Sequence, residues 1–326
     1  MTPGITEFGL TATGIAVQRV TIGAGGLTAS ILTLGAALRG VWLAGVPHSL
    51  TIGSDDLTLY EGPLRHHGTL IGPVVNRITG ASAAIAGTPH HFVADPGDDL
   101  ILHSGPAGTH RKVWRLVDRS ARHVTMSLDL PDGEGGFPGN RQVRVSYSVL
   151  PLATLRMEVT VTTDRETLIS FANHSYWNLD GSDCWFGHTL RLAADRYLPS
   201  TPVFTPTGEI ASVAGTAYDF RRPRVVARDT PPLDTCFCLA DTRRVLTEVL
   251  ELTGQSGVRL RVATTEPGVQ LYDGRGAGAP GHPDYQGLAI EPQLWPDAPG
   301  RAGFPSVELA PGKIYAPVTE WRFERP

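Results

Sequence analysis

Cysteine is scarce in this chain. Three residues, Cys184, Cys236 and Cys238, stand among 326 positions; they cannot all pair within the chain, which excludes a fold built on a disulfide framework. So few thiols in so long a sequence fit a reducing compartment. Cys236 and Cys238 have one residue between them, fewer than the ligands of zinc motifs do, and read as small core residues on alternating faces of a strand. Residues 1–8 lack the basic segment and apolar core of a secretory leader, so the expected location is cytoplasmic. Long apolar runs are missing too. The richest stretch, residues 27–45, is broken by Arg39 and several glycines and reads as two strands, too interrupted to span a bilayer. A concentrated basic surface is also lacking: 28 Lys and Arg are outnumbered by 32 Asp and Glu, for a net charge of -4, which argues against nucleic acid as a partner. The densest basic cluster, Arg221-Arg222-Pro223-Arg224, reads as a solvated turn.

Nor does the chain contain a long helical stripe, an internal repeat or a linker of low complexity. Glycine and proline punctuate it evenly, and 41% apolar content suffices for a large core, so residues 1–326 read as a single domain. What is present is alternation. Residues 141–149, 155–162 and 257–263 each alternate apolar with polar side chains, the signature of half-buried strands. The fold class expected is all-β, a large antiparallel β-sandwich with few short helices. One helical turn is expected from a Ser54 cap, with Asp55 and Asp56 in its first turn.

Two segments carry chemistry. Asn173-His174-Ser175-Tyr176-Trp177-Asn178 sets a histidine among aromatic rings and amides, the residue types that hold a sugar. Far downstream, Ile290-Glu291-Pro292-Gln293-Leu294-Trp295 offers one glutamate beside an amide and a tryptophan. Moving one proton on and another off a neutral polyol needs an acid and a base across a pocket, which makes His174 the candidate acid and Glu291 the candidate base. A lone histidine is more often a satisfied residue of a half-buried strand. A lone glutamate is more often solvated, but Glu291 follows an apolar run and is expected to close a buried strand, a costly place for a carboxylate.

Together these segments resemble the aldose 1-epimerase, or galactose mutarotase, family, and further motifs follow in the family's order. Asn76-Arg77-Ile78 looks like its arginine motif. Leu102-His103-Ser104-Gly105 looks like its first histidine motif, usually written with two glycines after the histidine; Ser104 stands at the first of them and adds a side chain beside His103. Residues 132–139 resemble its acidic, glycine-rich turn, Leu233-Asp234-Thr235 its aspartate motif, and Gly268-Val269-Gln270-Leu271-Tyr272 the strand between that motif and the glutamate. The resemblance implies a galactose-mutarotase-like supersandwich whose site residues come from distant strands. It further implies a monosaccharide substrate and neither metal nor organic cofactor; the family includes proteins that act on phosphorylated sugars, but no arginine or lysine cluster here forms a clear phosphate site, so a free sugar is expected. His174 and Glu291 would be catalytic; Asn76, Arg77, His103 and Asp234 would bind the sugar. Trp177 and Trp295 are candidates for an apolar platform, although a sandwich tryptophan usually belongs to the core.

Competing signals are weaker. Gly276-Ala277-Gly278-Ala279-Pro280-Gly281 fits the dinucleotide fingerprint in form, but Pro280 and Pro283 obstruct the helix that must follow, and a loop is expected. His66-His67 and His90-His91 are adjacent pairs, which on a strand point to opposite faces, and read as surface or turn histidines. One rival function is a glycoside hydrolase using Asp234 and Glu291 as paired carboxylates; another is a carbohydrate-binding protein without turnover. The sequence sets neither the preferred aldose nor an oligomeric state.

Overall fold

The computed structural model describes residues 2–326. About 43% of the chain is strand and 4% helix, and among the described residues the larger sheets have nine, six and four strands, all antiparallel. The expected β-sandwich is the architecture found. The alternating runs form the middle of the nine-stranded sheet, where Arg141–Leu150 pairs with Thr154–Thr163, then Val318–Glu324, then Arg259–Thr264. Val143, Val145, Tyr147 and Val149 are buried while Gln142 and Arg144, which alternate with the first of them, are exposed, as a side-chain period of two dictates. The outer face of this sheet carries ion pairs such as Arg261 with Glu248 at 2.8 Å and Glu251 at 3.0 Å, a solvated lattice in which each pair contributes little.

The six-stranded sheet runs Tyr176–Trp177, Leu288–Gln293, Gly268–Tyr272, Asp234–Cys238, Arg196–Tyr197 and Ala211–Ser212. One face of it packs on the nine-stranded sheet: the Trp177 ring lies 5.9 Å from Trp321 and 5.6 Å from Phe323, all three fully buried. Its other face builds the site. A four-stranded N-terminal sheet, Gly4–Leu10, Ala16–Ala24, Leu27–Leu32 and Leu38–Leu43, covers another part of the core, tied to the large sheet by the Tyr147 hydroxyl, which donates to the Ala36 carbonyl at 3.1 Å. Residues 27–45 thus contain two strands, as their broken hydropathy implies, and no helix of the described residues is long and apolar enough to cross a membrane.

Two local expectations need correction. The short helix is Leu57–Glu61, and its cap is Asp56, whose carboxylate accepts from the Thr58 N–H at 2.9 Å. Ser54 instead accepts from the Asp56 N–H in a turn before the helix, which leaves no acidic residue in the first helical turn. Cys236 and Cys238 are free and buried, but being two apart on a strand they share one face, with Leu198 and Trp295, while Phe237 between them enters the main core.

Candidate active site

Register across the six-stranded sheet decides which side chains can meet. Gln270 lies opposite both Glu291 and Cys236; Tyr272 lies opposite Ala289 and Asp234, and Ala289 in turn opposite Tyr176. Directly opposed residues project to the same side, so Glu291 and Gln270 form one row on the open face, and Tyr176, Ala289, Tyr272 and Asp234 form the next. Ala289 leaves a gap between the two tyrosines, whose rings stand 6.2 Å apart. Strand Leu288–Gln293 continues two residues past Glu291, so the glutamate sits inside a fully buried strand and does not close it. Pro292 offers no N–H to the ladder but keeps the extended conformation that the residue before a proline also favours.

His174 lies between the short strands Ala172–Asn173 and Tyr176–Trp177. A turn through residues 65–69 clamps it from both sides: the Gly68 N–H donates to the His174 carbonyl at 2.9 Å, and the His174 N–H donates to the Thr69 carbonyl at 3.0 Å. Gly68 has a positive φ of 71°, and a Cβ there would stand 2.2 Å from the Leu38 carbonyl oxygen, so only glycine admits this approach. The clamp sets His174 Nε2 3.5 Å from Glu291 Oε1, with both residues buried.

A two-stranded ladder, Arg77–Thr79 with Leu100–Leu102, delivers the third and fourth predicted motifs side by side. The chain turns sharply at its end, with φ of 67° at Asn76, 53° at His103 and 63° at Ser104. The Asn76 N–H donates to His103 Nδ1 at 3.1 Å, which leaves Nε2 of the neutral ring as a donor. Asn76 Oδ1 accepts from the Arg77 N–H at 2.8 Å. Arg77 reaches Asp234 Oδ2 at 3.4 Å and lies 5.4 Å from the Phe204 ring centre. Gln270 Nε2 donates to Asp234 Oδ1 at 2.6 Å, so both oxygens of that carboxylate are oriented by protein.

All six predicted residues, Asn76, Arg77, His103, His174, Asp234 and Glu291, line one cavity of about 400 Å³, within the range of small-molecule sites. Burial governs its electrostatics. It pushes the Glu291 carboxyl well above the usual carboxylate range, helped by Asp234 and opposed by Arg77, and pushes the His174 imidazole down to about 4. Both directions favour a pair that shares one proton and carries no net charge. Burial also raises Asp234, against Arg77 and Gln270, and holds His103 well below the usual histidine range, with the neighbouring His174, His110, Arg77 and Arg65 adding to the effect.

The sequence reading missed several wall residues. Tyr176, Gln270 and Tyr272 lay inside quoted motifs, but their projection into the cavity depends on register. Tyr176, Tyr272 and Phe204 are the aromatic residues that line the cavity; neither tryptophan borders it. Trp177 projects to the core face, and Trp295 packs edge-on against Phe304 at 5.2 Å with its Nε1 bound to the Pro267 carbonyl at 3.1 Å. His66 and His67 are in a turn, as read, but not on the surface: His67 is buried and stacks on Tyr176 at 4.1 Å, and His66 lines the cavity. His90 and His91 do lie at the periphery, half-buried and exposed. The glycine-rich loop is a loop, and Gly276, Ala277 and Gly278 border the cavity. Asp297 was also missed: its Oδ1 accepts from the Thr79 N–H at 2.8 Å and its Oδ2 from Arg301 Nη2 at 2.6 Å, which latches the chain beyond Glu291 onto the Arg77 ladder.

A β-sandwich whose sheet face holds a buried histidine–carboxylate pair, ringed by tyrosines, amides and an arginine, is a site for a small polyol. Comparisons agree with that class. The family model described as Aldose 1-epimerase matches residues 18–322, and the chain belongs to that family, isomerases acting on carbohydrates. It is 33% identical over 290 residues to a galactose mutarotase of Bos taurus, covering 84% of this chain and 83% of that protein. It is 29% identical over 322 residues to an aldose 1-epimerase of Escherichia coli K12, covering 91% and 92%. Among solved structures, an aldose epimerase homologue from C. elegans superimposes with a TM-score of 0.88 at 29% identity, covering 95% of this chain and 99% of that one.

Proposed function

We propose that the pocket interconverts the α and β anomers of a free aldose such as galactose or glucose, with Glu291 as base and His174 as acid. The spacing of that pair is the observation that carries the reading. The anomeric hydroxyl and the ring oxygen are bonded to the same carbon, so a base for one and an acid for the other must stand close together, as His174 Nε2 and Glu291 Oε1 do at 3.5 Å. Transfer of their shared proton to His174 forms the carboxylate–imidazolium pair. Glu291 then takes the proton of the anomeric hydroxyl while His174 gives its own to the ring oxygen. The bond from the anomeric carbon to the ring oxygen breaks, and the hydroxyl's electron pair closes the aldehyde. Rotation about the adjacent carbon–carbon bond presents the other carbonyl face, and the reverse transfers reclose the ring and restore both groups. An acid and a base each supply about 10²- to 10⁴-fold.

Arg77, His103, Asn76 and Asp234 hold the ring in this reading, His103 through its free Nε2 and Asp234 as an acceptor already oriented by Arg77 and Gln270. Side chains from Pro63 to Glu291 contribute to one cavity, which favours residues 1–326 acting as a single catalytic domain. Three free thiols suit the cytoplasmic location expected from the sequence. The hydrolase reading assigns the work to Asp234 and Glu291, but Asp234 is tied down on both oxygens and the close pair is His174 with Glu291. Polarimetry on fresh α-D-galactose, α-D-glucose and pentoses, with parallel incubation on nitrophenyl glycosides, tests the choice. Faster relaxation without release of nitrophenol supports the epimerase; release of nitrophenol, or no effect on any sugar, refutes it.

A further inference from the structure

His66 occupies a place in the cavity that none of the roles above uses. Its ring forms a triangle with the two site histidines: the centroids stand 4.8 Å from His103 and 5.8 Å from His174, and those two are 5.4 Å apart. Each of the other corners is engaged, His103 through Nδ1 with the Asn76 N–H and His174 opposite Glu291. The His66 carbonyl accepts from Thr69 Oγ1 at 3.0 Å, but among the described residues its ring makes no hydrogen bond to protein, and it borders the cavity. The ring is also held in place, because its turn is the one clamped to the backbone of His174 at Gly68 and Thr69. We propose that His66 is a further substrate-binding residue, whose free ring nitrogens hydrogen-bond a hydroxyl of the bound aldose on the His103–His174 side of the cavity.

The chemistry of the surroundings fits that role and no acid–base one. Burial and the neighbouring His103, His110 and His174 hold the His66 ring well below the usual histidine range, so it offers one donor and one acceptor and no charge. A sugar hydroxyl both gives and takes a hydrogen bond and matches such a group. A ring without a protein partner is satisfied only when something enters the cavity, and leaving it unmatched by a ligand lacking that hydroxyl carries a penalty.

The inference rests on reading the pocket as an aldose site, and its test separates the two. Calorimetric titration with D-galactose would compare the native protein with His66→Phe, which keeps a ring packed against His174, and His66→Gln, which keeps a donor and an acceptor. Thermal unfolding of each variant checks the fold. The dissociation constant is expected to rise about tenfold in His66→Phe, with a smaller rise in His66→Gln. Equal constants in the native protein and His66→Phe overturn the contact, whatever the catalytic rate; should His66→Phe fail to fold, a native constant in a ring nitrogen-free His66→Leu does the same. A native protein that binds galactose without accelerating its mutarotation would sink the catalytic reading, while a weakened constant in His66→Phe would still support the contact.

Discussion

Ser104 and Val74 exchange two hydrogen bonds: the Val74 N–H donates to Ser104 Oγ, and the Ser104 hydroxyl donates to the Val74 carbonyl, each at 2.9 Å. The side chain at a position where the family usually has glycine therefore behaves like an extra rung of sheet, beside the paired backbone of Asn76 and His103. It holds the histidine loop in its left-handed conformation without glycine's freedom.

Removing that hydroxyl has a direction. Ser104→Ala keeps the strained φ of 63° and strands a buried N–H and carbonyl, so it should lower the unfolding free energy by about 1–3 kcal/mol and raise KM. Ser104→Gly loses the same bonds but relieves the left-handed backbone, and should cost less than the alanine variant. Urea unfolding of both variants checks the order.

The fork of Arg77 should matter more than its charge. Arg77 meets Asp234 at 3.4 Å beside the Phe204 ring, and a lysine has neither the planar face nor the paired donors. Arg77→Lys is expected to raise KM for galactose about tenfold with a smaller change in kcat, read from initial polarimetric rates over a range of sugar concentrations.

Buried histidines make the fold sensitive to acid. His110 has both ring nitrogens buried without a partner and is pushed down to about 3, chiefly by burial. Its folded value lies below the unfolded one, so the unfolded chain binds more protons, and the stability that the neutral ring allows is complete above about pH 6.5 and is lost progressively as pH falls toward 3. At pH 5 that difference is about 2 kcal/mol for one such ring. Melting temperatures at pH 8 and pH 5 should therefore differ less in His110→Phe than in the native protein.

The alkaline limb of the rate profile reports the other partner. As pH rises through the raised Glu291 value, the pair loses its one proton and His174 has none to give, so the rate falls. Asp234 contributes to that elevation and Arg77 opposes it; Asp234→Asn should move the limb to lower pH, measured as kcat against pH.

Much of this was legible in the sequence because period-two alternation is written into strands such as Arg141–Leu150, and because the site motifs are short and local. The all-β class was readable from the alternation, and six of the residues that line the cavity from motifs that resemble those of the family. What was not readable depends on register between strands far apart in sequence. Tyr176 enters the cavity and Trp177 the core because Tyr176 stands opposite Ala289, and no local pattern says which of two adjacent aromatics faces the cavity. His66 was hidden similarly: a turn is legible in the sequence, but not that its packing against distant strands places one histidine in the cavity and the other under Tyr176. The helix cap moved from Ser54 to Asp56 because two capping residues compete within a few positions.

The most direct test of the acid–base pair is the polarimetric relaxation of fresh α-D-galactose with the native protein, Glu291→Gln, His174→Asn and the double variant at equal concentration. The account predicts that the native protein accelerates relaxation, that each single variant loses at least about 10²-fold, and that the double variant loses little more than the worse single, since the two groups act as a unit. A single variant that retains the native rate while folded, or a native protein no faster than buffer, would contradict it.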